Sequence, residues 1–361
     1  MNYAGRIARL REAAGVSDGT VFVVTRPDSI AYFCGFTGSF GDLVVTPDRA
    51  VLATDGRYAL RARTEAVGVE THIGWQAREL LPEVLSSLDT PSPAAALMEA
   101  EGLSLPRWER LLVVCPHGWS LQARCGVVDP LRAVKDADEI ALLRKACAIT
   151  DAAWADVQPE LRPGCTERWI ARRIAELQLD HGADEWAHLI VASGPNSAMP
   201  HHTPTDRVVK GGDLLKVDVG AKYGGYCSDL TRTVIIGEPT DLQCGMYDAV
   251  YRAQIAACAA MRAGATGEDV DRAARCVIRK AGFGDYYTHN LGHGLGRAKE
   301  PPHIVAGSVF EPGNVLTIEP GVYIEGVGGV RIEDLGLVTD DGFEPMSLAP
   351  KPPTLQGPGG A

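Results

Sequence analysis

The stretch KVDVGAKYGGYCSDLTRT, residues 216–233, decides the fold together with NLGHGLG at 290–296 and TIEPGVYIEGVGGVRIEDLGLV at 317–338. In the first stretch, residues 214–221 alternate apolar and polar side chains, 222–225 form a glycine-rich turn, and 226–236 return as a second strand. The predicted hairpin carries Asp218 on its outgoing strand and Asp229 on its return. We expect the two carboxylates to face each other across this ribbon.

A second ribbon over residues 315–338 repeats this plan. Its apolar outgoing strand ends at Glu319, a glycine-rich loop follows at 326–329, and the return strand 330–338 carries Glu333. A carboxylate within a run of Val, Ile and Leu lies in apolar surroundings, where an unpaired charge costs on the order of several kcal/mol or is neutralised by a pKa shift. Four such carboxylates on two ribbons therefore require cations.

A glycine-flanked histidine, His293, completes a candidate metal site. A single buried Asp in a strand is more often a turn or cap acceptor than a ligand, but the repeated ribbon and the added imidazole favour metal binding. Hard oxygen donors with imidazole suit two divalent ions, of which Mn is the expected one and Co or Zn are alternatives. Four carboxylates also balance the charge of two divalent ions.

The order of the motifs DVG, SDLTRT, GHGLG, TIEPGVY and GVRIED resembles the pita-bread metallopeptidases, in the branch of Xaa-Pro dipeptidases (prolidases) and Xaa-Pro aminopeptidases. IAYFCGFTGSFGDLVV and TDGRYALRA are similar to the creatinase-type N-terminal domain of that branch. The resemblance implies an α+β protein with a C-terminal pita-bread domain and a smaller α/β N-terminal domain. We place the N-terminal domain at 1–126, a linker at 127–135, the catalytic domain at 136–350 and a flexible Pro- and Gly-rich tail at 351–361.

Local signals predict the elements of both domains. Residues 21–24, 43–46 and 51–54 are short apolar strands, and 57–66 and 79–88 have helical spacing. Capping residues predict four helices in the second domain, which begin at Asp136, Thr166, Thr240 and Thr266. Helices interleaved with strand pairs indicate sheets covered by helices on one face.

The resemblance also implies a role for each ligand. Asp229 and Glu333 would bridge both ions, Asp218 would bind one, and His293 and Glu319 the other. Glu319 would also accept the proton of the attacking water, which reaches the peptide as a metal-bridged hydroxide.

Other residues matter through the same resemblance. In the loop NSAMPHHTPTDR, His201 is chosen over His202 as the contact to substrate or oxyanion, and His289 matches a position near the proline side of the substrate. Arg331 and Tyr323 lie near the two Glu ligands, where they would orient those ligands or bind a substrate carboxylate.

The segment RAKEPPH departs from the family pattern, which has a His-Glu pair after GHGLG. If Glu300 keeps the place of that Glu, Lys299 replaces the catalytic histidine and the segment is one residue shorter. Either Lys299 or His303 is then a candidate donor to the oxyanion.

Bulk properties limit the partners. A formal charge of -11 argues against nucleic acid or an anionic membrane surface. Nine cysteines without a CxxC pair, no signal-peptide core and no run of about 18 apolar residues lead us to expect a reduced, cytoplasmic location. The resemblance implies a homodimer in which the N-terminal domain borders the partner's active site.

The favoured function is removal of the residue before proline, from dipeptides or from the N-terminus of longer peptides. Two alternatives share the fold: a creatinase-like hydrolase that works without metals, and a binding homologue without activity. The metal content of the purified protein separates the peptidase from both alternatives, because only the peptidase needs all five ligands.

Overall fold

The computed structural model describes residues 1–75 and 80–355, and the chain divides into two compact units, Met1–Arg132 and Ala133–Ala361. The boundary falls inside 127–135, the segment predicted as a linker, where residues Val128–Ala133 form a short helix. None of the helices in the described ranges has the length and apolar character needed to cross a membrane.

The first unit is an α/β unit built on one mixed sheet. Its described helices are α1 (Tyr3–Ala14), α2 (Pro27–Cys34), α3 (Ala59–Glu65), α4 (Leu80–Ser87), α5 (Leu105–Val114) and α6 (Val128–Ala133). Its described strands are β1 (Thr20–Val24), β2 (Asp42–Val45), β3 (Ala50–Asp55), β4 (Glu70–Gly74), β5 (Ala94–Glu99) and β6 (Trp119–Arg124), in the order β4-β3-β2-β1-β5-β6. The three predicted strands lie in β1, β2 and β3. The two predicted helices are α3 and α4, although Glu79 lies outside the described residues.

The second unit contains the four predicted helices, α7 (Ala137–Val157), α8 (Glu167–Asp180), α9 (Asp241–Ala260) and α10 (Gly267–Lys280). The side chains of Asp136, Thr166, Thr240 and Thr266 cap them as expected, with complete capping boxes at Asp136 and Thr240. Its described strands are β7 (Glu185–Ser193), β8 (Leu214–Tyr223), β9 (Tyr226–Cys227), β10 (Leu230–Ile235), β11 (His293–Leu295), β12 (Lys299–His303), β13 (Val315–Ile318), β14 (Gly321–Ile324), β15 (Gly328–Arg331), β16 (Glu333–Val338) and β17 (Phe343–Pro345).

Most of these strands form one large sheet in the order β12-β11-β13-β16-β10-β8-β7, with β17 beside β16 and β9 beside β8. Period-2 alternation separates its two faces. Leu215, Val217 and Val219 of β8 pack in the core formed with α7 and α8, which leaves Lys216 and Asp218 on the other face. The helices therefore cover one face of the sheet, and the predicted ligands lie on the opposite one.

The first ribbon differs from the prediction in its return strand. The strand breaks at Ser228 and Asp229, between β9 and β10, because the Ser228 hydroxyl bonds to the backbone amide of Ala221. Register pairs Asp218 with Thr231, so Asp229 is a diagonal neighbour of Asp218 and does not face it directly.

The second ribbon also breaks, although its register is continuous. β13 pairs with β16 in the large sheet, whereas β14 pairs with β15 in a separate ribbon. The break lies at Pro320, which has no amide hydrogen to donate to a neighbouring strand. Glu319 therefore lies at the end of the large sheet, between β13 and the separate ribbon of β14 and β15.

The tail differs from the prediction in its first five residues. Lys351 forms an ion pair with Asp334, Ile235 donates its amide to the Pro353 carbonyl at 2.9 Å, and Leu355 packs in the core of α7 and α8. These contacts attach 351–355 to the body of the unit. Residues 356–361 of the predicted flexible tail lie outside the described residues.

Candidate metal centre

A row of polar side chains crosses the large sheet on the face away from the helices. Asp218 on β8 pairs with Thr231 on β10, which pairs in turn with Glu333 at the start of β16. One residue beyond the last pair of β13 and β16, Glu319 comes level with Glu333. Four neighbouring strands thus bring three of the predicted carboxylates together, and the Thr231 hydroxyl donates to Glu333 Oε2 at 2.6 Å.

The other two predicted ligands lie beside this row. His293 begins β11, and its Nε2 lies 3.8 Å from Asp229 Oδ2 and 3.5 Å from Glu319 Oε1. The Thr317 hydroxyl contacts both the backbone amide of His293, at 3.0 Å, and Glu319 Oε1, at 3.2 Å. The structure therefore brings all five predicted ligands to one place.

A sixth side chain, His188 on β7, reaches the same place and was not predicted. Its Nε2 lies 2.8 Å from Asp218 Oδ1 and 3.1 Å from Asp229 Oδ1. Within the described residues, two groups have the spacing of metal ligands: His188 with Asp218 and Asp229, and Asp229 with His293 and Glu333. Asp229 belongs to both groups, so its carboxylate links two adjacent positions.

The electrostatics of these carboxylates indicate a site for cations. Burial and the neighbouring carboxylates, chiefly Asp229, raise the pKa of Glu333 well above its ordinary value. Burial, with Asp229 and Asp218 nearby, also raises the pKa of Glu319 to about 8 despite the opposing effect of Arg331. Crowded carboxylates that would otherwise take up protons are stabilised as anions by bound cations.

The donor set fits divalent metals. It consists of carboxylate oxygens and imidazole nitrogens, which suit Mn, Co, Zn or Fe and contain no soft thiolate. Cys227 is buried and lies two residues before Asp229 in the sequence, but its thiol contacts the Arg297 carbonyl at 3.4 Å. The residues present therefore fit a site for divalent metal ions.

A chain of hydrogen bonds runs outward from the carboxylates. Burial would raise the pKa of Asp218, but Arg331 and His188 hold it well below its usual range. Arg331 contacts Asp218 directly and donates to the Tyr323 hydroxyl at 3.0 Å. Tyr323 lies 2.9 Å from His289 Nε2, so these residues form one continuous network.

The tautomer of His289 follows from its contacts. Its Nδ1 lies 2.8 Å from the Asn290 carbonyl and must donate there, which leaves Nε2 to accept from Tyr323. Burial, with a further contribution from Arg331, lowers the pKa of His289 to about 4. His289 is therefore neutral at pH 7.

The two histidines of the NSAMPHHTPTDR loop have different surroundings. His201 lines a cavity of about 260 Å³ together with three other histidines, His289, His293 and His303. His202 is buried, and its Nε2 lies 2.9 Å from the carboxylate of Glu167. Only His201 is thus open to a ligand in that cavity.

The segment that departs from the family pattern forms β12. His303 pairs with His293 across β11 and β12, and Lys299 pairs with Leu295. Both Lys299 and His303 line the same cavity as Glu319 and Arg331. Glu300 points elsewhere, into a buried ion pair with Lys135 at 2.8 Å.

Sequence reasoning missed three polar residues of this face. Thr231 lies in the quoted motif, and its place between two carboxylates follows from strand register. Lys216, two residues before Asp218, donates to the Met199 and Pro200 carbonyls and so holds the loop of His201. His188 interrupts an apolar strand, EWAHLIVAS, which is the signal that would have indicated it.

A sheet whose open face gathers carboxylates and imidazoles beside a cavity defines a metal-dependent hydrolase with a separate N-terminal α/β unit. Residues 141–340 match the model of metallopeptidase family M24, and residues 6–134 match the creatinase/prolidase N-terminal domain. The chain belongs to metallopeptidase family M24. The predicted fold class and family are confirmed.

Relatives span most of the chain. It is 33% identical to an uncharacterised peptidase, YqhT, of Bacillus subtilis over 96% of this chain and 98% of that one. It is 41% identical to a Xaa-Pro dipeptidase of Pyrococcus furiosus over 61% of this chain and 65% of that one. Among solved structures, a Xaa-Pro dipeptidase from Bacillus anthracis superposes with a TM-score of 0.92 at 34% identity, covering 98% and 99% of the two chains. An X-Pro aminopeptidase from Thermotoga maritima gives 0.86 at 32% identity, covering 95% and 99%.

Proposed function

We propose that this metallopeptidase cleaves the bond between an N-terminal residue and a following proline, in a dipeptide or at the start of a longer peptide, with two divalent ions. The observation that carries the proposal is the pair of ligand groups joined by Asp229, beside a cavity lined by four histidines. The names of similar proteins support the substrate class, because both Xaa-Pro dipeptidases and an X-Pro aminopeptidase share this fold.

We assign the five predicted ligands to two ions, with Asp229 and Glu333 shared between them. Asp218 completes one position, and His293 with Glu319 completes the other. Mn is the ion we expect, since oxygen donors outnumber nitrogen donors. When bound, two such metal ions lower the pKa of a water that they share and polarise the carbonyl of the scissile bond.

Glu319 is assigned as the proton acceptor. Its side chain lines the cavity, and its Oε1 lies close to both His293 and Thr317. A general base must be within hydrogen-bond reach of the proton that it accepts. Glu319 meets this requirement for a water that enters from the cavity.

The cavity histidines are assigned to the substrate. His201 is held at the cavity by its loop, and neutral His289 is oriented by Tyr323, which suits contact with an uncharged proline ring. His303 is assigned the role of the family histidine that is absent here, because it pairs directly with His293. Lys299 lines the same cavity and supplies a positive charge for an oxyanion or a substrate carboxylate.

The test compares hydrolysis of a Xaa-Pro dipeptide, a Xaa-Pro tripeptide and the matching Xaa-Ala dipeptide by purified protein, with Mn and after chelation. We expect cleavage of the proline substrates only, abolished by chelation and restored by Mn. Preference for the dipeptide would make the chain a dipeptidase, and preference for the tripeptide an aminopeptidase. Activity that survives complete metal removal would refute the proposal.

We also propose a homodimer, supported by the resemblance to the family. The mass of the purified protein in solution, measured by light scattering, tests it. A mass of one chain at all concentrations would contradict it.

A further inference from the structure

We infer that His188 is a sixth protein ligand, which binds the ion held by Asp218 and Asp229. This inference rests on the metal centre of the proposed function and goes beyond the five ligands assigned there. It gives each of the two ions one imidazole, His188 for the first and His293 for the second.

The strands position His188 for this role. β7 lies at the edge of the large sheet, and its pairing with β8 has an irregularity between Trp186 and His188. After the irregularity His188 pairs with Gly220, and Ile190 pairs with Asp218. The imidazole therefore stands on the same face as Asp218, two residue pairs further along the strand.

Gly220 leaves room for the ring. A Cβ atom at this position would lie 2.2 Å from the Ser228 carbonyl oxygen, 2.7 Å from His188 Cε1 and 2.9 Å from its Nδ1, closer than a Cβ atom normally comes. Asp229 precedes Leu230, which pairs with Val219, so it comes level with Gly220 from the other neighbouring strand. The imidazole and the carboxylate thus converge over a residue that has no side chain.

The oxygens that face His188 are the ones that the other contacts leave available. Asp218 directs Oδ2 to Arg331 and Oδ1 to His188. Asp229 directs Oδ2 to His293 and Oδ1 to His188. One nitrogen and two oxygens from separate side chains therefore converge, and each carboxylate still has its second oxygen for another partner.

The separations match ligands of one ion. With metal–ligand bonds of about 2.1 Å, adjacent ligands at right angles lie about 3.0 Å apart. The Nε2 of His188 is 2.8 Å from one carboxylate oxygen and 3.1 Å from the other. The Nε2 atom of an imidazole carries at most one hydrogen, so hydrogen bonding alone would serve only one of these oxygens well.

The experiment titrates Co(II) into the metal-free full-length protein, followed by calorimetry and by visible absorption. The variants are His188→Ala and His188→Phe, which keeps a planar ring over Gly220 but has no nitrogen. His181→Ala is the matched control, because His181 Nε2 also contacts a carboxylate, Asp156 Oδ2 at 2.8 Å, away from the centre.

We expect the native protein and His181→Ala to bind two ions identically. Both His188 variants should bind one of the two at least tenfold more weakly, with altered Co(II) absorption bands. Because His188 is partly exposed, added imidazole should restore affinity and spectrum to His188→Ala. Unchanged affinity and spectrum in both variants would overturn the inference, and so would weaker binding with an unchanged spectrum and no rescue, which would make His188 a positioning residue only.

A measurement on the unaltered protein covers the case in which neither variant folds. X-ray absorption at the cobalt edge counts imidazoles around the ions: an average of one per ion supports the inference, and one for every two ions contradicts it.

The proposed function is judged separately. If the native protein binds two ions but cleaves no Xaa-Pro substrate, the proposed function is refuted while His188 can still be a ligand. If the protein cleaves these substrates but its metal binding does not depend on His188, the proposed function stands and the inference about His188 fails.

Discussion

Glu319 is a partly buried carboxylate with an unusual environment, because three neighbouring acids and Arg331 act on it at once. Replacement by Gln keeps its shape and removes its ability to accept a proton. We expect Glu319→Gln to lower kcat/KM for a Xaa-Pro dipeptide by about 100- to 10,000-fold. The rate of hydrolysis under saturating Mn provides the measurement.

The control for this variant is Glu325→Gln, in the exposed turn of the ribbon that follows Glu319. It should leave the rate unchanged. Equal activity of Glu319→Gln and the native protein, with two ions still bound, would remove Glu319 as the proton acceptor.

His303 and Lys299 are two candidates for one missing histidine, and their positions distinguish them. His303 pairs with His293 within the sheet, whereas Lys299 is exposed at the start of β12. We expect His303→Ala to lower kcat by about 100-fold or more with little change in KM, the pattern of a contact made only in the transition state. Lys299→Ala should mainly raise KM. Steady-state kinetics of both variants decide, and the opposite pattern would exchange the two assignments.

At the scale of the element, the loop that carries His201 depends on the first residue of α8. Glu167 is fully buried and accepts hydrogen bonds from Ser193, Asn196, His202 and Thr205. Burial alone would raise its pKa, but these donors outweigh it and lower the pKa to about 2 from the usual 4.5. This single carboxylate therefore holds residues before and after His201 in place.

We expect Glu167→Gln to lower the free energy of unfolding at pH 7 by about 1–3 kcal/mol, because an amide cannot accept all these bonds and presents hydrogens to some of the donors. A folded pKa below the unfolded one gives stability that is present above pH 4.5 and is lost as pH falls toward 2. The difference between variant and native protein should therefore shrink below pH 4.5.

Denaturant unfolding at pH 7 and pH 3.5 measures this effect. Glu176→Gln, on the exposed face of the same helix, is the control and should change stability by less than about 0.5 kcal/mol. A constant difference at both pH values would show that the charge of Glu167 is not responsible.

Sequence patterns specified the helices well because each helix begins at a local capping signal. Asp136 and Thr240 each have a partner three residues later, and no distant contact is needed to recognise it. The grouping of the five proposed ligands could be predicted for another reason, since two ribbons repeat the same placement of carboxylates within apolar strands. Strand breaks were harder. Pro320 was visible in the sequence, but the bond from Ser228 to Ala221 exists only once the hairpin has closed.

His188 shows why the rest of the site was hidden. Its face of the sheet depends on an irregularity near Trp186, and one residue of register moves every side chain of a strand to the other face. Its proximity to Asp229 further depends on a break in another strand. Neither local event is encoded in the spacing of a motif.

At the scale of the whole molecule, four crowded carboxylates tie stability to metal content. In the metal-free protein, the raised pKa of Glu319, about 8 against the usual 4.5, means that the folded state binds an extra proton between these values. Stability is then fully present below pH 4.5 and is lost as pH rises through 8. Glu333, raised in the same direction, adds to this loss.

We therefore expect the thermal midpoint of the chelated protein to fall between pH 5.5 and pH 8.5, whereas excess Mn should raise the midpoint most at the higher pH. Free Mn at 100 times its dissociation constant adds about 2.7 kcal/mol for one site. Calorimetric scans with and without chelator test this. A chelated protein that becomes more stable across this range would contradict the arrangement.

The row from Asp218 to Glu333 joins β8 and β10 to β16, a strand that comes much later in the chain. A ribosome releases β8 and β10 well before β16, so a growing polypeptide displays Asp218 and Asp229 while Glu333 is still unmade. Half a binding site holds ions weakly and exchanges them quickly. Complete metal binding at the proposed centre thus requires Glu333, the last of the proposed ligands to be translated, and activation of the enzyme cannot precede its synthesis.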